Sequence, residues 1–304
     1  MDWVGLNSDL EEKGFAVIRG LLSQKEADDY VHELEKLSNI SRRDFSKKSQ
    51  GSMLEKRGLN TNFNLPDGVV KSKAFWPLIT HPNLLEHLHR LVDPEVKFLQ
   101  HNDLHVGFSA ISWHRDNINR RFGVGSDWAS SAAPYKLVRI GIYLQSYEES
   151  KFRLGFIPGS HKPPQGEVTF ARRLNEQKLA WIGAASYLSV RMQERASNAE
   201  WVATNPGDAI LFDPRVLHSG SYIQGPKYSI FLAFGVENQH FYNHYNYYRR
   251  IRSELGYGEF DPALSAILKE YNLLQHEYPK YDSIPDAWTP PPVLKNALAR
   301  RFKM

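Results

Sequence analysis

Apolar side chains recur at helical spacing in two stretches of the N-terminal third. Ala27, Tyr30, Val31, Leu34 and Leu37 share one face of a segment that opens with Ser23 and Glu26 at capping-box spacing. Leu84, Leu85, Leu88 and Leu91 form a stripe behind Pro82, a residue suited to a first helical turn. Both stretches predict helices with one buried face. His87 and His89 fall on or beside the second and read as structural or exposed, since neither has an acidic partner at ligand spacing. Between Gly14 and Gly20 the run Phe15-Ala16-Val17-Ile18-Arg19 predicts a short strand. From about residue 96 the texture changes to short apolar runs punctuated by Gly, Pro, Asn and Asp. These predict strands over 96–108, 135–145, 154–157, 209–212, 215–218 and 228–236, the pattern of an all-β sandwich or barrel.

Two long excursions, 117–134 and 163–206, interrupt the strands. Loops of that length inside a compact domain more often wall a site than merely connect, and Phe122, Trp128, Phe170, Trp181, Tyr187 and Trp201 would give such walls a bulky, partly apolar lining. Beyond residue 241 the chain is rich in Tyr and Arg, with helical spacing over 264–274 and a run of prolines at Pro290, Pro291 and Pro292. We read this as a helical cover on the barrel, so that residues 1–304 make a single domain with a β core at about 96–236 and a cover at about 241–304. The cluster Phe241-Tyr242-Asn243-His244-Tyr245-Asn246-Tyr247-Tyr248 reads as packing of that cover.

Composition narrows the chemistry. There is no cysteine, which excludes disulfides, thiolate zinc sites, iron–sulfur clusters and a cysteine nucleophile, and leaves His, Asp and Glu to hold any metal. Twelve histidines make that worth testing. The net charge of +4 arises from 38 basic and 34 acidic residues, too even a balance to imply a nucleic-acid partner. The densest basic stretch, 41–48, reads as a solvated loop. No run approaches the roughly 18 apolar residues of a membrane span, and Met1-Asp2-Trp3-Val4-Gly5-Leu6 lacks a basic region followed by an apolar one, so the default expectation is a cytoplasmic protein with no membrane partner.

One constellation stands out. On extended backbone, residues two apart project to the same side, so His114 and Asp116 can converge on one point. A third donor, His218, ends a predicted strand 104 residues further on (218 − 114). Two histidines and one carboxylate make the facial triad of a non-haem Fe(II) oxygenase, with three positions left for cosubstrate and O2. His101, Asp103 and His105 compete for a metal, but alternate residues of one strand stand about 6.5 Å apart, awkward for a single ion. They read as a polar interior wall, with His105 placed to touch cosubstrate or substrate.

The text around the triad is more specific than the triad. Trp113-His114-Arg115-Asp116, then Phe156-Ile157-Pro158-Gly159-Ser160-His161-Lys162, then Pro206-Gly207-Asp208-Ala209-Ile210-Leu211-Phe212, then His218-Ser219-Gly220 follow in that order. Over about residues 96–235 the chain thereby resembles the phytanoyl-CoA dioxygenase family of Fe(II)- and 2-oxoglutarate-dependent oxygenases. The resemblance implies a mainly β fold with flanking helices, the double-stranded β-helix or jelly roll. It implies iron on His114, Asp116 and His218, with 2-oxoglutarate and O2 as cosubstrates. It also implies oxidation, most simply hydroxylation, of an unactivated C–H bond in a small organic molecule of acyl or natural-product type. His161 belongs to the family turn and reads as structural. Members usually carry an arginine soon after the distal histidine to grip the far carboxylate of 2-oxoglutarate. Here Lys227 occupies that position, with the charge but without the planar fork. Three readings follow: Lys227 binds the carboxylate as a point charge, Arg139 on a neighbouring predicted strand takes over, or the cosubstrate binds differently. Arg215, three residues before His218, should face away. The departure also leaves room for a second class, a jelly-roll binding protein that has lost turnover.

Overall fold

Alternation along the strands sorts the side chains onto two faces, and the whole architecture follows from where each face is buried. The computed structural model describes residues 2–49, 63–110, 113–129, 133–165, 198–277 and 279–289. In chain order the elements are α1 (Trp3–Lys13), β1 (Phe15–Ile18), α2 (Gln24–Ser38), α3 (Arg42–Ser49), β2 (Phe63–Pro66), α4 (Gly68–Lys71), α5 (Trp76–Ile79), α6 (Pro82–Leu91) and β3 (Lys97–Val106). They continue with β4 (Leu137–Tyr143), α7 (Tyr147–Ser150), β5 (Leu154–Phe156), β6 (Glu200–Val202), β7 (Ala209–Phe212), β8 (His218–Gly220), β9 (Tyr228–Gly235), α8 (Gln239–Asn246) and α9 (Pro262–Glu270).

Six strands pair in the order β1-β7-β4-β9-β3-β2 and three in the order β6-β5-β8, with antiparallel neighbours in both sheets. The outer face of the larger sheet presents Leu104, Val106, Ile140, Leu211, Ile230 and Leu232. It is covered by Ala27, Val31 and Leu34 of α2, Leu84 and Leu88 of α6, and Leu264 and Leu268 of α9. The inner face is split. Toward β1 and β7 it is apolar, and Phe15, Tyr143, Ile210 and Phe212 pack on Leu154 and Phe156 of the smaller sheet. Toward β3 the alternating positions are His101, Asp103 and His105, which line a cavity between the sheets. The result is an open jelly roll of two facing sheets with helices on the outside of the larger one.

Most predicted elements are present, and β7 (Ala209–Phe212) and α6 (Pro82–Leu91) have the predicted bounds. The capping box at Ser23 and Glu26 forms in both directions. Three expectations are corrected and one helix is added. Residues 215–218 are not a strand ending at His218. Pro214 has no N–H to give a ladder, the Asp213 carboxylate accepts from the Arg215 N–H at 2.7 Å, and the resulting turn delays β8 until His218. The basic stretch is helix α3 rather than a loop: the Asp44 carboxylate accepts from the Ser41 N–H at 2.8 Å, a cap whose Ser-x-x-Asp signal was present in the sequence, and Phe45 is buried beneath it. Helix α1 went unpredicted, although Trp3, Leu6 and Leu10 share a face packed on the core, Asp2 caps its start and Gly14, in the left-handed region, ends it. Within 117–134, Phe122 and Trp128 are buried edge to face against each other and beside the Arg115 guanidinium, at 5.4 and 5.3 Å from it, instead of walling the cavity. Trp201 packs edge-on against Trp113. Phe170, Trp181 and Tyr187 lie outside the described residues.

The turn motifs hold the layers together. Gly207 has φ +84°, and a Cβ there would sit 2.2 Å from the carbonyl oxygen of Leu22. The following Asp208 accepts from the Gly20 and Asn205 N–H groups and pairs with Arg19. Leu211, in the centre of the outer face, has no exposed surface. Leu211→Ala should lower the free energy of unfolding by about 2–5 kcal/mol. Urea denaturation with an unchanged m-value checks this, and a loss under about 1 kcal/mol would mean that the two faces are assigned wrongly.

Candidate metal centre

Two backbone hydrogen bonds place the histidines side by side. The His114 N–H donates to the His218 carbonyl at 2.9 Å, and the His218 N–H returns a bond to the His114 carbonyl at 3.0 Å, an isolated antiparallel pair. The Asp116 N–H donates to the Pro214 carbonyl at 2.8 Å, so the segment stays extended for two more residues and the carboxylate falls on the same side as the His114 ring. The Pro-Gly-Ser-His-Lys turn braces the far side: the Ile157 N–H donates to the Leu217 carbonyl at 2.9 Å, and the Leu217 N–H donates to the Ser160 hydroxyl at 2.8 Å. His161 packs on Gly14 and contacts the Glu11 carbonyl at 3.2 Å, the structural role expected of it.

Donor atoms of His114, Asp116 and His218 lie within 4.8 Å of one another, with the carboxylate oxygens 3.8 Å from His114 Nε2 and 3.7 Å from His218 Nε2. The chemistry of the donors fits a metal. Nδ1 of His218 is 3.0 Å from the Val216 carbonyl, which can only accept, so Nδ1 carries the proton and the Nε2 lone pair faces Asp116. Burial, followed by the neighbouring His114, pushes His218 down to about 3, which keeps its ring neutral. Burial would raise Asp116, but the facing His218 ring, the Arg139 guanidinium, His114 and Arg120 outweigh it and hold the carboxyl below the usual carboxylate range, the two arginines being the permanent charges among them. A neutral imidazole and an ionised carboxylate are the forms a divalent cation binds. Nitrogen and oxygen donors without sulfur suit first-row ions such as Fe(II), and bringing them to bonding distance of one centre takes shifts on the order of 1 Å.

The triad lines a cavity of about 200 Å³ that also takes in His105, Lys227, Arg139, Phe152 and Phe231. Lys227 is buried, its ammonium donates to the Ser229 hydroxyl at 2.8 Å, and it lies 4.6 Å from the centre of the Phe152 ring. Burial pushes it down to about 7. His105 stays neutral through burial and the nearby Lys227 and Arg139 charges. Arg139 reaches the cavity but is already engaged. It donates to the His101 carbonyl at 2.6 Å and to Asp103 at 2.9 Å, and its Nε stands 3.5 Å from the Asp116 carboxylate. Arg215 faces away, forked onto Asp213 and 4.0 Å over the Tyr135 ring. His101 contacts His244 at 2.9 Å and stacks on Tyr248 at 3.6 Å, so the inner wall of β3 is polar but is not a second metal site. Sequence reasoning missed Arg120, Arg252, Tyr248 and Tyr257, which also line the cavity. Arg120 lies in a loop with no periodicity, and Tyr248 was taken up in the packing reading of the aromatic cluster.

A jelly roll that brings two histidines and a carboxylate to one edge of a polar cavity defines a mononuclear non-haem metalloenzyme. The chain belongs to the phytanoyl-CoA dioxygenase family, whose model matches residues 10–228, and is accordingly an Fe(II)- and 2-oxoglutarate-dependent dioxygenase. No curated protein sequence matches it significantly. Among solved structures it is similar to HygX from Streptomyces hygroscopicus with nickel and 2-oxoglutarate bound, at 16% identity and a TM-score of 0.51 over 76% of this chain and 86% of that one. The iron-bound form of HygX gives 15%, 0.50 and the same coverage. The non-heme alpha ketoglutarate dependent epimerase SnoN from nogalamycin biosynthesis gives 14% and 0.49 over 77% of this chain and 80% of that one. Among the described residues no helix is long and apolar enough to cross a membrane.

The buried Lys227 makes stability depend on pH. Its folded pKa is about 7 against an ordinary value of 10.5, so between those limits the unfolded chain binds the extra proton and stability rises with pH. Metal-free protein should gain at most about 1.4 kcal/mol per pH unit from this group between pH 7 and 10. Lys227→Met should flatten that rise in denaturant titrations; an equally steep rise in the variant would mean that Lys227 is charged in the fold.

Proposed function

We propose that this enzyme oxidises, most simply by hydroxylating, an unactivated C–H bond of a small organic molecule of natural-product or acyl type. His114, Asp116 and His218 would hold the iron, and Lys227 the far carboxylate of 2-oxoglutarate. The observation that carries this reading is the convergence of the three donors on a cavity whose wall also holds a buried ammonium. When bound, iron and 2-oxoglutarate supply O2 activation and oxidising power. The chain's own residues do the rest. Arg139 steadies the Asp116 carboxylate at 3.5 Å while Asp103 offsets its remaining charge. The Val216 carbonyl keeps the His218 Nε2 free of a proton. Phe152, Leu154 and Phe231 exclude water from the wall beside Lys227. His105 stands on the same wall, neutral and placed to touch the cosubstrate.

Lys227 is favoured over Arg139 as the carboxylate anchor because Ser229 is its polar partner, whereas the guanidinium of Arg139 is shared among His101, Asp103 and Asp116. An ammonium that titrates near 7 has a further consequence. Bound carboxylate raises its pKa, so binding takes up a proton and affinity falls as pH rises above about 7.

The deciding experiment is anaerobic addition of Fe(II) and then 2-oxoglutarate to the purified protein, followed by the visible charge-transfer band of the chelate. The band is expected in the wild type and absent in His218→Ala; iron binding without it would remove the cosubstrate assignment. His114→Ala and Asp116→Ala should each cost turnover more than about 100-fold, beyond the loss from an outer partner of a ligand, while the fold survives. Retained activity in either would remove the iron assignment. Calorimetry at pH 8 in two buffers of different ionisation enthalpy should detect proton uptake on 2-oxoglutarate binding that disappears in Lys227→Met. Equal uptake in the variant would move the carboxylate elsewhere.

A further inference from the structure

The cavity has a second cationic end that the oxygenase chemistry leaves unused. Its lining carries Arg120, Arg139, Arg252 and Lys227 against two carboxylates, Asp103 and Asp116. Arg139 lies between those two acids. Arg252, 12% exposed, is paired with Glu254 and bonded to the Tyr247 hydroxyl. Arg120 is different: among the described residues no acid or hydrogen-bond acceptor is in contact with it, its buried Nε has no partner, and its charge reaches Asp116 only through space. Its guanidinium lies 4.0 Å over the Trp288 ring, and Arg252 approaches the same ring at 5.4 Å. The backbone that carries the ring is held in place, because the Trp288 main-chain N–H donates to the Ile118 carbonyl at 2.9 Å and the Trp288 carbonyl accepts from the Tyr247 hydroxyl. Stacking satisfies the flat face of a guanidinium and leaves its in-plane N–H groups for a planar oxyanion.

The position of this end separates it from the cosubstrate. His105 marks the Lys227 end of β3 and His101, stacked on Tyr248, marks the Arg120 end. β3 is bulged between Leu99 and Asp103, so the four residues from His101 to His105 advance about 10 Å, still more than a five-carbon diacid spans while it chelates a metal between them. From the unpaired guanidinium, its stacked ring and this separation we infer that the substrate is an organic anion. Its carboxylate or phosphate would seat on Arg120, with Arg252 beside it, and its carbon skeleton would run over Tyr248 and Tyr257 toward the triad. The inference rests on the oxygenase reading and adds the chemical class of the substrate. It also supplies positioning, because a charge fixed at one end of the cavity holds one C–H bond at a set distance from the metal.

The test uses small probes and binding rather than turnover. Benzoate, phenyl phosphate and neutral benzamide are titrated calorimetrically at low salt into metal-free protein and, anaerobically, into protein loaded with Fe(II) and 2-oxoglutarate. At least one anion should bind wild type more tightly than benzamide, and the tighter of the two assigns carboxylate or phosphate. Arg120→Gln should weaken that anion by at least about tenfold and Arg120→Lys by less, while affinity for 2-oxoglutarate stays within about twofold. Equal binding of benzamide, or unchanged anion affinity in a folded Arg120→Gln, would overturn the inference. So would a parallel loss of 2-oxoglutarate affinity, which would give Arg120 to the cosubstrate. A normal chelate band with no anion binding defeats this inference alone. Anion binding to metal-free protein with no chelate in the loaded form defeats the oxygenase reading and leaves the anion site standing.

Discussion

The reciprocal pair of backbone hydrogen bonds between His114 and His218 is the constraint on which the centre depends. It fixes two side chains from segments 104 residues apart (218 − 114) as direct neighbours, and the extended backbone from His114 to Asp116 then has no freedom to put the carboxylate anywhere but beside them. The supporting structure preserves that pair. The turn at Ser160 holds Leu217, Asp213 shapes the chain ahead of β8, and the apolar half of the inner face, with Phe156 and Phe212 close to the His218 ring, keeps water from the bonds that carry it.

The cavity is organised by charge at low dielectric. Four cationic side chains and two carboxylates line the same space, and each cation has a different partner. Arg139 is spent on acids and steadies the metal-facing carboxylate. Lys227 is left with a hydroxyl and aromatic walls, so burial depresses its pKa to about 7 and it gains most from a ligand that brings a negative charge. Among the described residues, what Arg120 has in contact is the face of an indole. Buried or half-buried cations without acids in contact are unfavourable in an empty cavity and favourable in one filled by anions.

Local rules were enough for much of the fold. The capping box at Ser23, the stripe behind Pro82 and the β7 run were legible because each is set by neighbours within a few residues. Where a single residue interrupts the ladder, as Pro214 does, alternation misread a turn as strand. Aromatic content misled in 117–134, since composition does not say which side of a loop meets the core, and Phe122 and Trp128 pack on Arg115.

The sequence by itself singled out the candidate donors, since His114 and Asp116 share a side through the two-residue repeat of extended chain and the ordered motifs around them carry the family and its jelly roll. Tertiary structure alone decided which cation is free. Arg139 and Arg120 are equivalent as letters, and they differ only in what stands against them, as Lys227 differs from both in its partner. Asp103 comes from β3, Ser229 from β9 and Trp288 from beyond α9, brought into contact by sheet pairing and by packing of the C-terminal segment. Electrostatic partners of that kind are set by distance in space, which no spacing along the chain encodes.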